Sequence, residues 1–138
     1  MKFNINDIAT IRHTFTEHEV LYYSGLIHDD NPIHTDKKYA EKSIFGRPVV
    51  PGMFAASFFS GLIGSKLPGK GSIYLGQNLN FLKPVFIGEQ VLFVVKIIHI
   101  RKDKPIITLN TYCINDNKSN TGTILIKGEA IVKAPKEE

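Results

Sequence analysis

Cysteine is almost missing from this chain: Cys113 is the only one in 138 residues. An internal disulfide therefore has no second partner, and the usual multi-cysteine zinc sites are excluded. Arginine is scarce too, limited to Arg12, Arg47 and Arg101. Proteins that read nucleic acid lean on arginine for bidentate contacts and gather their basic residues into a stripe. Here the lysines are scattered, and Lys37–Lys38 or Lys102 and Lys104 are no denser than a solvated surface requires. No nucleic-acid partner is expected. Long apolar runs are also lacking. The longest extends from Gly52 to Ser65, just before Lys66, and falls short of the roughly 20 residues of a membrane helix. It reads as a buried core helix, and no membrane partner is expected. No basic segment followed by an apolar one opens the sequence, and Asp7 stands where such a core would be. A secretory signal is therefore not expected, and a cytoplasmic protein is the default.

What is present is ordinary for a globular domain: 43% apolar and 22% charged residues. The length suits one domain over residues 1–138, large enough to bury a proper core. Net charge is +4, from 17 Lys plus Arg against 13 Asp plus Glu. That balance suits attraction of a phosphate-bearing small molecule without deciding anything alone.

The chain changes character midway. Its first half reads as helix and loop, its second as strand after strand. Thr16 and Glu19 form a capping-box pattern ahead of Val20, Tyr23, Leu26 and Ile27, which predicts an amphipathic helix over Thr16 to Ile27. Asp30-Asn31-Pro32 breaks it, and Asp36 can cap a short helix through Lys42. After the loop Phe45–Pro48, Pro51-Gly52 leads into the run Met53–Ile63, apolar nearly all round with small residues interspersed. Such a helix is expected to be buried on every side. Four strands follow at Ser72–Phe81, Gln90–Arg101, Pro105–Ile114 and Gly122–Lys133, separated by turn clusters, the last from Asn115 to Thr121. Connections this short favour antiparallel neighbours. The expectation is an α+β fold with the sheet wrapped over one buried helix. Val91–Ile98, broken only by Lys96, is expected to be covered on both faces, which hints at a dimer.

The densest titratable group is His28-Asp29-Asp30-Asn31-Pro32-Ile33-His34. An Asp and a His on a bend can converge on one water, the carboxylate accepting its proton while the imidazole donates or accepts a second hydrogen bond. Asp-Asn-Pro is equally an ordinary turn, and Asp30 or Asp36 can serve only as a helix cap. A metal set of His28, Asp29 and His34 lacks cysteine and a helical histidine pair, and no metal is expected. A second feature is Pro51-Gly52-Met53. Glycine at a helix start allows close backbone approach, and the free N–H groups there can bind an oxyanion. The alternative is that Gly52 only eases the chain into a crowded helix start.

Asp29-x-Asn31-Pro32-x-His34, followed by Arg47-Pro48-Val49-Val50-Pro51-Gly52-Met53, resembles the signature of MaoC-like (R)-specific enoyl-CoA hydratases. The similarity continues through Ser57–Gly61, Leu67–Gln77, Phe81 and Pro84–Glu89. The chain especially resembles the small single-domain members that supply (R)-3-hydroxyacyl-CoA for polyhydroxyalkanoate synthesis. One departure is local: Ile27-His28 precede Asp29, where members commonly carry Gly immediately before the aspartate. The resemblance implies a hot-dog fold, a long helix wrapped by an antiparallel sheet, in a homodimer with substrate tunnels near the interface. It further implies that Asp29 and His34 hold and activate water and that the Gly52 N–H polarises the thioester carbonyl. Asn31 would shape the catalytic loop, and Ser60 would support the site from the helix. No cofactor is implied beyond the coenzyme A of an acyl-CoA substrate of short to medium chain. The alternatives are a 3-hydroxyacyl-ACP dehydratase, a hot-dog thioesterase, against which the Asn-Pro-x-His pattern counts, or a non-catalytic acyl-CoA-binding protein.

Overall fold

In a computed structural model, residues 3–117 and 122–136 are described. Residues 118–121 of the turn expected at 115–121 lie outside the described residues. The chain begins with a strand that the sequence reading leaves out, β1 (Ile8–Thr14), in a half expected to be helix and loop. It lies antiparallel to β4 (Gln90–Ile100), from Ile8 opposite Lys96 to Thr14 opposite Gln90. Helix α1 (Glu17–Leu26) follows, and the expected capping box is formed. The Glu19 N–H donates to Thr16 Oγ1 at 3.1 Å, and the Thr16 N–H donates to Glu19 Oε1 at 2.8 Å. The apolar stripe of α1 is only partly buried. Val20 is in the core, but Leu26 is 67% exposed and Ser24 occupies the second buried position.

Two short helices come next, α2 (Pro32–Thr35) and α3 (Lys37–Glu41), the latter capped by Asp36 as expected. Helix α4 (Gly52–Ser65) has the predicted boundaries but not the predicted burial. Ala55, Ala56, Phe59, Leu62 and Ile63 enter the core, whereas Met53 is 59% exposed and Ser57, Ser60, Gly61 and Gly64 line an open face. The sheet covers one side of α4 only, and the other side of this chain carries mostly small residues, so exposing it removes little apolar area from the core.

The remaining strands are β2 (Ile73–Gln77), β3 (Asn80–Phe81), β5 (Ile106–Asn115) and β6 (Ile124–Lys133). The first predicted strand is thus split in two. All pairings are antiparallel in the order β1-β4-β5-β6-β2, with β3 also on β6. The inward residues Val91, Phe93, Val95 and Ile97 of β4 and Leu109 and Cys113 of β5 are fully or almost fully buried. Phe93 stacks on Phe58 of α4, with ring centroids 4.9 Å apart. This is the wrapped-helix arrangement expected from the sequence. In the single chain the outward face of β4 is no second core: Val94 is buried, but Leu92 and Lys96 are half-buried and Ile98 is exposed. No helix among the described residues is long and apolar enough to cross a membrane.

Candidate active site

The aspartate of the hexapeptide is fixed by the way α1 ends. The His28 N–H donates to Gly25 O at 3.4 Å, and the Asp29 N–H reaches back to Ser24 O at 2.9 Å. Those two bonds make a Schellman motif, which requires a left-handed residue at the position His28 occupies. His28 has φ +61°. The departure noted above therefore falls at a position where glycine would be unstrained and histidine is not.

From Asp29 the chain turns directly into α2. Asp29 Oδ1 accepts from the Asn31 N–H at 3.0 Å, and Asn31 Oδ1 accepts from the Ile33 N–H at 3.2 Å. Asn31 is thus the N-cap of α2 and Pro32 its first residue, where a missing N–H costs nothing. Pro32, read as a helix breaker, therefore also starts a helix. One turn later His34 lies opposite Asp29: its Nε2 stands 3.7 Å from Asp29 Oδ2, with the imidazole 12% and the carboxylate 29% exposed.

The other ring nitrogen decides the tautomer. His34 Nδ1 lies 2.7 Å from Val49 O. A carbonyl can only accept, so Nδ1 carries the proton, and a neutral ring presents Nε2 as a bare acceptor. At 3.7 Å the carboxylate and Nε2 are too far apart for a direct hydrogen bond. They are close enough for one water oxygen to bond both. Val49 is placed by its own N–H on Ile33 O at 3.3 Å, and the Val50 N–H on Val85 O at 2.8 Å ties the next residue to the sheet. The orienting role of Val49 is carried by its backbone, so no side-chain pattern announces it.

Two residues further, Gly52 opens α4 behind Pro51, and no side chain caps the helix. Among the described residues the Gly52 N–H makes no hydrogen bond. A β-carbon at Gly52 would lie 2.7 Å from Phe81 Cε1, so glycine serves close approach here. His34 and Gly52 both border a cavity of about 450 Å³ whose other walls, including Phe45, Met53, Phe81 and Val85, are mostly apolar. Asn31 acts on the loop, not on the cavity wall. Ser60 lies on the open face of α4 and does not border this cavity in the single chain. Among the described residues, no three His, Cys, Asp or Glu side chains are grouped to hold a metal ion.

Comparison with known proteins gives the family and the fold. The family model described as "MaoC like domain" matches residues 6–115. The chain is 46% identical over 127 residues to the (R)-specific enoyl-CoA hydratase of Aeromonas caviae, covering 92% of each chain. It is 38% identical over 133 residues to the mitochondrial 3-hydroxyacyl-[acyl-carrier-protein] dehydratase FERN of Solanum lycopersicum, covering 95% of this chain and 77% of that one. The solved structure of the (R)-hydratase from A. caviae involved in PHA biosynthesis superposes with a TM-score of 0.92 at 43% identity, over 97% of this chain and 98% of that one. The fold is therefore the hot-dog fold, and the chain belongs to the MaoC-like domain family.

Proposed function

We propose that this protein is a hydro-lyase, an (R)-specific enoyl-CoA hydratase that adds water reversibly across trans-2-enoyl-CoA of short to medium chain to give (R)-3-hydroxyacyl-CoA. The observation that carries the reading is the pair Asp29 Oδ2 and His34 Nε2, 3.7 Å apart, with Nδ1 committed to Val49 O. Asp29 and an unprotonated Nε2 both accept from one water, which aims its oxygen at the β-carbon. As that oxygen bonds to Cβ, a water proton passes to Asp29 and is delivered to the α-carbon, so one O–H bond and the Cα=Cβ π bond break while one C–O and one C–H bond form. Charge that builds on the thioester oxygen is met by the Gly52 N–H and the start of α4. The mostly apolar cavity bordered by His34 and Gly52 suits the uncharged part of an acyl thioester. Acid–base groups and a backbone donor suffice for this chemistry, so coenzyme A enters as part of the substrate and no metal or further cofactor is called for.

The same residues run the reaction backwards, and the tomato relative is named for dehydration of an acyl-carrier-protein thioester; that is the second reading. A homodimer fits the unpaired edge of β2, where Ile73 and Leu75 are each 53% exposed. A single unpaired thiol and an acyl-CoA substrate suit the cytoplasm. The test is hydration of crotonyl-CoA, followed by loss of enoyl-thioester absorbance, with the configuration of the product determined. Formation of (R)-3-hydroxybutyryl-CoA supports the reading; an unchanged enoyl-thioester, or the (S) product, refutes it.

A further inference from the structure

Glu89 stands where three segments of the chain meet, and its two oxygens are divided between them. Oε1 accepts from Arg47 Nη2 at 2.7 Å, in the segment that leads to α4. Oε2 accepts from Asn117 Nδ2 at 2.6 Å and from Asn115 Nδ2 at 3.4 Å, at and just past the end of β5. The Glu89 backbone closes a turn, its N–H donating to Phe86 O at 3.3 Å, and the Gly88 N–H donates to Phe15 O at 2.9 Å. Phe15 is wholly buried, so the turn that carries Glu89 is fastened to the core. Glu89 does not border the cavity that His34 and Gly52 share. It can act on that site only through other residues.

What Glu89 holds leads straight to His34. Arg47 is gripped twice by residues 85–89, at Glu89 and through its guanidinium, which lies 3.9 Å from the centre of the Phe86 ring. Two residues on, Val49 forms an antiparallel bridge with Phe86, and the Val50 N–H donates to Val85 O at 2.8 Å. Residues 47–50 are therefore zipped onto 85–89, backbone to backbone at one end and Arg47 to Glu89 at the other. Val49 O, inside that seam, accepts from His34 Nδ1 at 2.7 Å and so leaves Nε2 bare. The two-sided demand on Glu89 suits a carboxylate, which offers two acceptor oxygens. A glutamine offers one, and its NH₂ would face either the guanidinium or the asparagine amides, donor against donor.

We propose that Glu89 is a positioning residue for the hydration step: through Arg47 it fixes the Val49 carbonyl, and so holds His34 in the one tautomer that can accept from water at Nε2. The inference rests on the hydratase reading and deepens it. Arg47 is 53% exposed at its side chain, and ion pairs of that kind add little to global stability. The contribution of this pair is therefore geometric. Once the seam opens at Arg47, the Val49 carbonyl can turn away and Nδ1 loses its acceptor. The ring proton can then move to Nε2, which donates to the water where the reaction needs it to accept.

The experiment measures crotonyl-CoA hydration and the ring-nitrogen NMR signals of the histidines in the wild type, Glu89→Gln, Arg47→Gln and Arg12→Ala. The last is a control: it removes another ion pair of 2.7 Å, from Arg12 to Asp116, that does not involve residues 47–50. A melting curve verifies that each variant folds, and the His34 signals are those missing from His34→Gln. In the wild type, at a pH where the ring is neutral, they should show the proton on Nδ1. Glu89→Gln should lower kcat by at least about tenfold with a smaller change in KM, since a misplaced catalytic group costs turnover first. Its His34 signals should move towards the Nε2-protonated form. Arg47→Gln, which cuts the same link from its other side, should do both, and Arg12→Ala neither. An unchanged kcat in Glu89→Gln, or a lowered kcat with His34 still protonated on Nδ1, would overturn the positioning while leaving the hydratase reading standing. An equal loss of kcat in Arg12→Ala would do the same. A wild type inactive on crotonyl-CoA would overturn the function and this inference with it.

Discussion

At Gly52 the demand is for space beside a backbone donor, not for an unusual dihedral angle. The residue sits in the first turn of a helix, and a side chain there would meet the Phe81 ring, 2.7 Å from where Cβ would be. That ring is half-exposed and can swing aside, so Gly52→Val should fold. The valine would then fill the approach to the N–H. Loss of an oxyanion donor costs on the order of 10²–10³ in kcat, and Gly52→Val should lose at least that much. Steady-state kinetics beside a melting curve separate this from misfolding. Cys113 is a residue of the opposite kind, wholly internal. Burial pushes its thiol up to about 12, so it stays protonated at neutral pH and should resist a thiol-specific reagent until the chain unfolds. The sign of the linkage follows. The unfolded thiol ionises near pH 8.5 and the folded one does not, so its contribution is complete below about 8.5 and declines as pH rises towards 12. Between pH 8.5 and 10 the wild type should lose stability faster than Cys113→Ala in denaturant titrations.

Among the elements, α1 matters most through its last turn, because the Schellman bonds that close it also set Asp29. His28 takes the left-handed conformation there at a cost of roughly 1 kcal/mol. His28→Gly should recover about that much and raise the melting temperature by roughly 3–5 °C, leaving kcat nearly unchanged. A lower melting temperature would mean that the imidazole makes contacts worth more than the strain. The chain around the site loop was legible in the sequence because its signals are local: the capping box that opens α1, the Asp30-Asn31-Pro32 break after it and the Asp36 cap of α3. The one-turn helix α2 was not, since the proline that breaks one helix also starts the next. Strand β1 was missed because its burial does not alternate: only Ala9 and His13 of its seven residues are even half-buried, and pairing with the distant β4 creates the strand. The open face of α4 was missed for a related reason. Composition shows that a helix is apolar, but only the assembled sheet shows which side it covers. Val49 was invisible because a carbonyl has no side-chain signature.

At the scale of the whole molecule, the sheet that grips α4 ends in the unpaired edge of β2, carrying Ile73 and Leu75 outward. An exposed apolar edge of this kind is a ready template for pairing, and the proposed homodimer would extend the sheet across it. Light scattering should therefore give twice the 15.5 kDa chain mass, and Leu75→Lys should shift the population towards monomer. A fully active monomer would refute the dimer. The central claim concerns the loop held inside that framework: Asp29, and not its neighbour Asp30, works with His34 on the water. Only Asp29 has an oxygen near His34 Nε2, while Asp30 is exposed. The most direct measurement is the rate of crotonyl-CoA hydration by Asp29→Asn and Asp30→Asn, each verified as folded by its melting curve. The account predicts a loss of at least about 10²–10⁴-fold for Asp29→Asn and little change for Asp30→Asn; near-normal turnover by Asp29→Asn, with Asp30→Asn inactive, would contradict it.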